Sequence, residues 1–249
     1  MASKVDFSRP LLCLACDKDS LEANLRLAVQ AAGEVDMIKV NDDAVDDAGL
    51  GPLVKPFLEF GLPLFVDEKN LKGARTMARR AVKAADLGVA FINAYALADY
   101  LLRGPVEALK GSDTRLLVLT VPTHFDDAYC LKYYRRPLAE SVRMFSETAI
   151  EFGGDGILLP PTTLSAVSDL VIEIRATPGI SLPDGKPRDE QRSFSTPEGA
   201  VLGGSNILIV GSAIANYPEG PAAGARRIKE EMLEAFKRRR ARSPHWSAP

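Results

Sequence analysis

Short, continuous apolar runs alternate with amphipathic stretches along this sequence. Eight runs stand out: Leu11–Cys16, Val35–Val40, Leu62–Asp67, Gly88–Asn93, Arg115–Val121, Gly156–Leu159, Leu170–Ala176 and Asn206–Gly211. Helical periodicity fills the intervals, among them Leu21–Ala32, Leu71–Ala85, Ala139–Phe152 and Ala222–Arg239. Several runs are apolar at successive positions instead of alternate ones. Parallel strands covered on both faces have that pattern. Eight strand–helix units in 249 residues predict one (β/α)8 barrel domain spanning 1–249, with an irregular basic tail over about 240–249. The rival is a doubly wound open sheet, which places a glycine-rich turn after its first strand. Here that turn is Asp17-Lys-Asp-Ser-Leu, without glycine.

Composition narrows the function classes. Lysine and arginine number 31 against 33 aspartates and glutamates, a formal charge of −2. A dedicated nucleic-acid binder would carry a basic surplus. No apolar run approaches the ~20 residues that span a bilayer, so no membrane partner is expected. The first residues, Met1-Ala-Ser-Lys-Val-Asp-Phe, hold no apolar signal core. Three cysteines in no framework spacing suit a reducing compartment, so a cytoplasmic location is expected. Cys13 and Cys16, three apart on one strand, face opposite sides and read as packing. The stretch Pro178–Ser195, with Pro183, Gly185 and Pro187, is expected to be a mobile loop. The basic run from Lys237 reads as a solvated helix end that complements the helix dipole.

In such barrels the chemistry lies at the C-terminal ends of the strands. Asp17 ends the first run, Lys39 lies in the second, and Asp67-Glu-Lys69 ends the third. Asn93-Ala-Tyr95 ends the fourth and Thr120-Val-Pro-Thr123-His124 the fifth. Thr177-Pro178-Gly179-Ile180 follows the seventh, and Val210-Gly211-Ser212 closes the eighth. Asp67 and Lys69 are two apart, so strand alternation turns both to one face. A lysine in a barrel mouth is costly unless it is paired or functional. Two lysines beside an aspartate therefore make either a catalytic cluster or a structural ion pair. His124 is open in the same way, as a ligand or acid/base group or as a structural histidine. No metal-ligand spacing appears.

The order of these residues resembles the orotidine 5′-phosphate decarboxylase superfamily. The pieces are Leu-Ala-Cys-Asp17, Asp36-Met-Ile-Lys39-Val, Leu64-Phe-Val-Asp67-Glu-Lys69, Leu117-Val-Leu-Thr-Val-Pro-Thr123, Thr177-Pro178-Gly-Ile, Gln191 with Thr196-Pro, and Ile209-Val-Gly211. Superfamily members that act on sugar phosphates with Mg²⁺ carry a Glu where Lys39 stands. The resemblance therefore implies the metal-free, cofactor-independent nucleotide branch. It implies a Lys-Asp-Lys-Asp array in which Lys39 and Asp67 are members and Lys69 donates the proton to C6 as CO₂ leaves. It further implies that Asp17 binds a ribose hydroxyl and that Gln191 contacts phosphate. Thr76 would be lent to the site of a second subunit, making the protein a homodimer with shared sites.

Departures from the family pattern shape the expected function. Asp67-Glu-Lys69-Asn-Leu-Lys72 carries Lys72 where the fourth array Asp belongs, so a neutral array becomes +2 if every group is charged. Ser212 stands in the place of the phosphate-binding Arg, His124 in that of a ring-contacting Ser, and Tyr95 in that of a His. Arg192, Lys186 and Arg188, or the run Lys132–Arg136, could supply a replacement cation. The expectation is a carbon–carbon lyase acting on an orotidine-like pyrimidine nucleotide or nucleoside, as a specialised paralogue. The alternatives are a nucleotide-binding paralogue with altered or lost catalysis, and a sugar-phosphate aldolase or decarboxylase of the same superfamily.

Overall fold

The computed structural model describes residues 5–41, 49–183 and 192–242. Eight strands form a closed parallel barrel in sequence order: β1 (Leu11–Cys16), β2 (Met37–Asn41), β3 (Leu64–Asn70), β4 (Phe91–Tyr95), β5 (Arg115–Leu119), β6 (Gly156–Leu158), β7 (Ile174–Thr177) and β8 (Ile207–Val210). Between and after them run α1 (Leu21–Ala31), α2 (Leu50–Leu58), α3 (Ala74–Asp86), α4 (Arg103–Leu109), α5 (Asp127–Tyr134), α6 (Leu138–Glu151), α7 (Pro197–Gly203), α8 (Ser212–Ala215) and α9 (Pro221–Arg242). The (β/α)8 expectation therefore holds, and the doubly wound rival is excluded by the pairing of β1 with β8, Leu14 opposite Val210.

Successive strand residues point to opposite faces, which sorts the apolar runs into two cores. Leu11, Cys13 and Ala15 of β1, Met37 of β2, Phe65 of β3 and Leu117 of β5 fill the barrel interior. Leu12 and Leu14, Ile38 and Val40, and Val66 face outward, into the layer under the helices. Both faces of each strand are buried, so the runs read as continuously apolar. Cys13 lies in the inner core and Cys16 in the outer one, and both thiols are free. Gly156 of β6 packs tightly against β7. A Cβ there would lie 2.4 Å from the Cβ of Ile174 on β7.

Local capping signals start three of the helices. Ser20 caps α1 by accepting from the Ala23 amide, and Asp126 caps α5 through the Tyr129 amide. Thr196 caps α7, with Pro197 at its first position. Below the barrel, Asp36 accepts from Arg9 at 2.8 Å and from the Leu12 amide at 2.9 Å, and pairs with Lys229 of α9 at 2.7 Å. Burial opposes that charge, but these donors hold the Asp36 carboxyl below its ordinary value. The basic run from Lys237 continues α9 to Arg242. Among the described residues no helix is long and apolar enough to cross a membrane.

Candidate active site

A cavity of about 330 Å³ opens at the C-terminal mouth of the barrel. Parity builds it. The residue two positions beyond interior Met37 is Lys39, and the one two beyond Ala15 is Asp17, so both side chains enter the mouth. Asp17 is steadied by the next residue, whose amide donates to the buried Asn24 side chain at 2.7 Å.

Lys39 is almost wholly buried, and its ammonium donates to three acceptors. They are Asp17 Oδ1 at 2.9 Å, Asp67 Oδ2 at 3.2 Å and Asn41 Oδ1 at 2.5 Å. An ammonium has three protons, so Lys39 has no donor left over. Burial alone would lower its pKa. The carboxylates of Asp67 and Asp17 outweigh that and hold it above the ordinary lysine value. For Asp67, burial favours the neutral acid, but Lys39, Lys69 and the Asn93 amide hold it below the ordinary carboxylate range. Asn93 Nδ2 donates to Asp67 Oδ1 at 2.7 Å.

Lys69 differs from Lys39. Its Nζ pairs with Asp67 Oδ2 at 2.9 Å, yet its side chain keeps 41% exposure toward the cavity. The route by which it arrives differs from simple strand alternation. Five residues of β3, from Val66 to Asn70, are matched to three of β4, from Ile92 to Ala94. The surplus chain bulges, with Lys69 at a left-handed φ of 44°. A non-glycine residue there costs about 1–2 kcal/mol. The bulge is held by the Lys69 amide, which donates to Asn93 Oδ1 at 2.7 Å. Asn93 thus ties backbone and carboxylate of the β3 end together.

On the other side of the cavity, the Thr123 carbonyl accepts from the amides of Arg192 and Ser193. Gly179 has φ +76°, and a Cβ on it would lie 2.6 Å from the Ser193 carbonyl, so glycine is required where these two loops meet.

Of the residues expected from sequence, Asp17, Lys39, Asp67, Lys69, Thr123, His124, Pro178, Gly211 and Ser212 line this one cavity. His124 is exposed at its rim and meets Phe125 edge-on. Lys72 and Thr76 are exposed and outside the lining of this single chain. Arg192 is also outside it, because its guanidinium pairs with Asp126. Gln191, Lys186 and Arg188 lie outside the described residues. Tyr95 packs half-buried against the inner core, where burial, with Asp67 and Tyr129 nearby, pushes its hydroxyl up.

Sequence reasoning missed Asn41 and gave Asn93 no role. The signal for Asn41 was present, since two positions beyond Lys39 shares its face. The pairing of Asn93 depends on the bulge, which no pattern marks. A larger cavity, about 420 Å³, lies at the opposite rim beside Val5, Lys110 and Asp155, away from these charges.

Comparison with known proteins decides the family. Residues 10–228 match the model of the orotidine 5′-phosphate decarboxylase / HUMPS family. The chain belongs to that family. An orotidine 5′-phosphate decarboxylase of Halorhodospira halophila is 31% identical over 232 residues, covering 91% of this chain and 97% of the relative. One from Rhodopseudomonas palustris strain BisA53 is 28% identical over 92% of this chain and 97% of the relative. The crystal structure of the orotidine 5′-phosphate decarboxylase from Lactobacillus acidophilus superposes with a TM-score of 0.75 at 24% identity, over 90% of this chain and 99% of that one. That likeness carries the fold of the orotidine 5′-phosphate decarboxylase family. Within this family member, Lys39, Asp67 and Lys69 are brought into one hydrogen-bonded array at the barrel mouth.

Proposed function

We propose that this protein is a cofactor-independent decarboxylase-type lyase acting on an orotidine-like pyrimidine nucleotide or nucleoside. The observation that carries the reading is the division of labour between the two lysines. Lys39 is buried and saturated, so it serves as a fixed positive charge that keeps Asp67 ionised. Lys69 is paired but open to the cavity, so its proton is deliverable.

The chemistry follows from that geometry. A substrate carboxylate placed beside Asp67 meets a buried like charge, which opposes it in the ground state and is relieved as CO₂ departs. The C6–carboxyl bond breaks, the electron pair remains at C6, and the Lys69 ammonium stabilises it and gives it a proton. Lys69 then regains a proton from water, to which it is half open. Asp17, Thr123, His124, Pro178, Gly211 and Ser212 form the binding surface for the ribose and ring, with Gln191 as a phosphate contact and Arg192 beside it. The protein works as a cytoplasmic homodimer in which Lys72 and Thr76 reach the neighbour's cavity, where Lys72 completes the array. Lys72 and Ser212 mark it as a specialised paralogue.

The test is orotidine 5′-phosphate turnover, followed by absorbance, in the wild type and in Lys72→Asp. Wild-type turnover at ~1 s⁻¹ or above would show that Lys72 is tolerated and that the enzyme is no specialised paralogue. Silence in the wild type with turnover in the variant is the expected result, and would direct the search to other pyrimidine nucleosides and nucleotides. The second reading is a nucleotide-binding paralogue with lost catalysis, favoured by the missing fourth carboxylate. With the true substrate, Lys69→Ala separates the two: a catalyst loses turnover, whereas a binder loses at most affinity.

A further inference from the structure

The residue between Asp67 and Lys69 is a charge facing the wrong way for the cavity. The Glu68 side chain is fully buried, on the outer side of β3 under α3. Apolar residues occupy the neighbouring outward positions, such as Val66, so a carboxylate there needs a reason. Its oxygens accept from Arg80 Nε of α3 and from Asn70 Nδ2, the latter at 2.5 Å. Asn70 is the residue at which β3 returns to register with β4, opposite Ala94. Glu68 therefore grips the far end of the bulge, while Asn93 grips its middle through the Lys69 amide. Lys69 sits between the two grips in its left-handed conformation.

We propose that Glu68 is a positioning residue: the Arg80–Glu68–Asn70 chain fixes the β3 bulge and so holds the Lys69 amine against Asp67 and toward substrate. The proposal rests on Lys69 as the proton donor for its functional meaning, but not for its geometry. α3 is thereby coupled to the site through the Arg80–Glu68 pair, although Arg80 is outside the cavity lining.

The experiment measures Lys69 directly. Trace acetylation with acetic anhydride, read by mass spectrometry, compares Lys69 with Lys39 in the wild type, in Glu68→Gln and in the Glu68→Leu/Arg80→Leu double variant. The double variant replaces a buried ion pair by apolar groups, a change that proteins commonly tolerate, so it keeps the test open if Glu68→Gln fails to fold. Release of Lys69 from Asp67 should raise its labelling about threefold to fivefold, the size of one partly exposed ion pair. Lys39 labelling should not change. Turnover should fall about tenfold to a hundredfold in kcat with KM little moved, as expected for a misplaced reacting group. Unchanged Lys69 labelling in folded variants overturns the proposal whatever the turnover does. Raised labelling with unchanged turnover upholds the positioning role and instead removes Lys69 as the proton donor.

Discussion

The two lysines of the array make opposite predictions about stability and activity. Lys39→Met leaves the buried Asp67 carboxylate short of a partner and frees that of Asp17. Stranding a buried charge costs about 3–5 kcal/mol, which urea unfolding would register. Lys69→Ala removes a pair that is half open to water, worth about 1 kcal/mol or less, yet should abolish turnover. Equal destabilisation by both would contradict the division of roles. The pH dependence follows from the directions of the shifts. Asp67 is held low, so its contribution is present above the ordinary carboxylate value of about 3.9 and is lost as pH falls through its lower native value. Lys39 is held high, so its contribution is present below the ordinary lysine value of about 10.4 and is lost as pH rises through its higher native value. Urea midpoints should therefore show no step from this network between about pH 5 and pH 9. A step in that window that vanishes in Lys39→Met would show the pair changing charge there. At this scale most of the site was legible. Strand parity alone puts Asp17 and Lys39 in the mouth, and the resemblance supplied their roles. Parity marks Asn41 as well, two positions beyond Lys39, but not Asn93, whose pairing with Asp67 and the Lys69 amide depends on the bulge.

At the scale of elements, the apolar runs located every strand, but their ends moved for physical reasons. The third run ended at Asp67, whereas β3 runs on to Asn70 through polar residues that pair across a bulge. The seventh began at Leu170, whereas β7 starts at Ile174, since Val171 is left almost fully exposed. Apolar character extended the run to Leu170 without burying Val171, and pairing begins only where a neighbouring strand is in reach. Two substitutions test the elements separately. Gly156→Ala should destabilise by about 1–3 kcal/mol, because the new methyl group collides with Ile174 and the close-packed β6–β7 seam cannot part freely. Thr196→Ala should cost about 1 kcal/mol through the lost cap of α7, without a collision. Thermal denaturation of both variants ranks them. A Gly156→Ala protein as stable as wild type would mean that the strands have room to separate.

At the scale of the whole molecule, the homodimer proposed above needs a surface for its second copy. Leu71, Leu97 and Tyr100 are exposed large side chains on the segments that follow β3 and β4. A second copy seated there would cover them and could bring Lys72 and Thr76 to its own cavity. Sedimentation should accordingly find a dimer, and Leu97→Asp/Tyr100→Asp should shift it to monomer with loss of turnover. A wild-type monomer would remove Lys72 and Thr76 from the array. Barrel closure has a different consequence. Asp17, just after the first strand, and Gly211, just after the last, are neighbours across the seam, and Arg226 pairs with Glu34 over a separation of 192 positions. These are contacts of very high order, which form slowly because so long a loop must close first. On a ribosome adding ~5–20 residues each second, β1 waits ~10–40 s for its second partner. A chain arrested before its eighth strand holds Asp17, Lys39 and Asp67 and the facing Thr123 and Gly179, but it lacks Ile209, Gly211 and Ser212 and leaves the barrel open between β7 and β1. Turnover, once a substrate is known, will therefore report completed closure of the barrel in a way that helix content cannot.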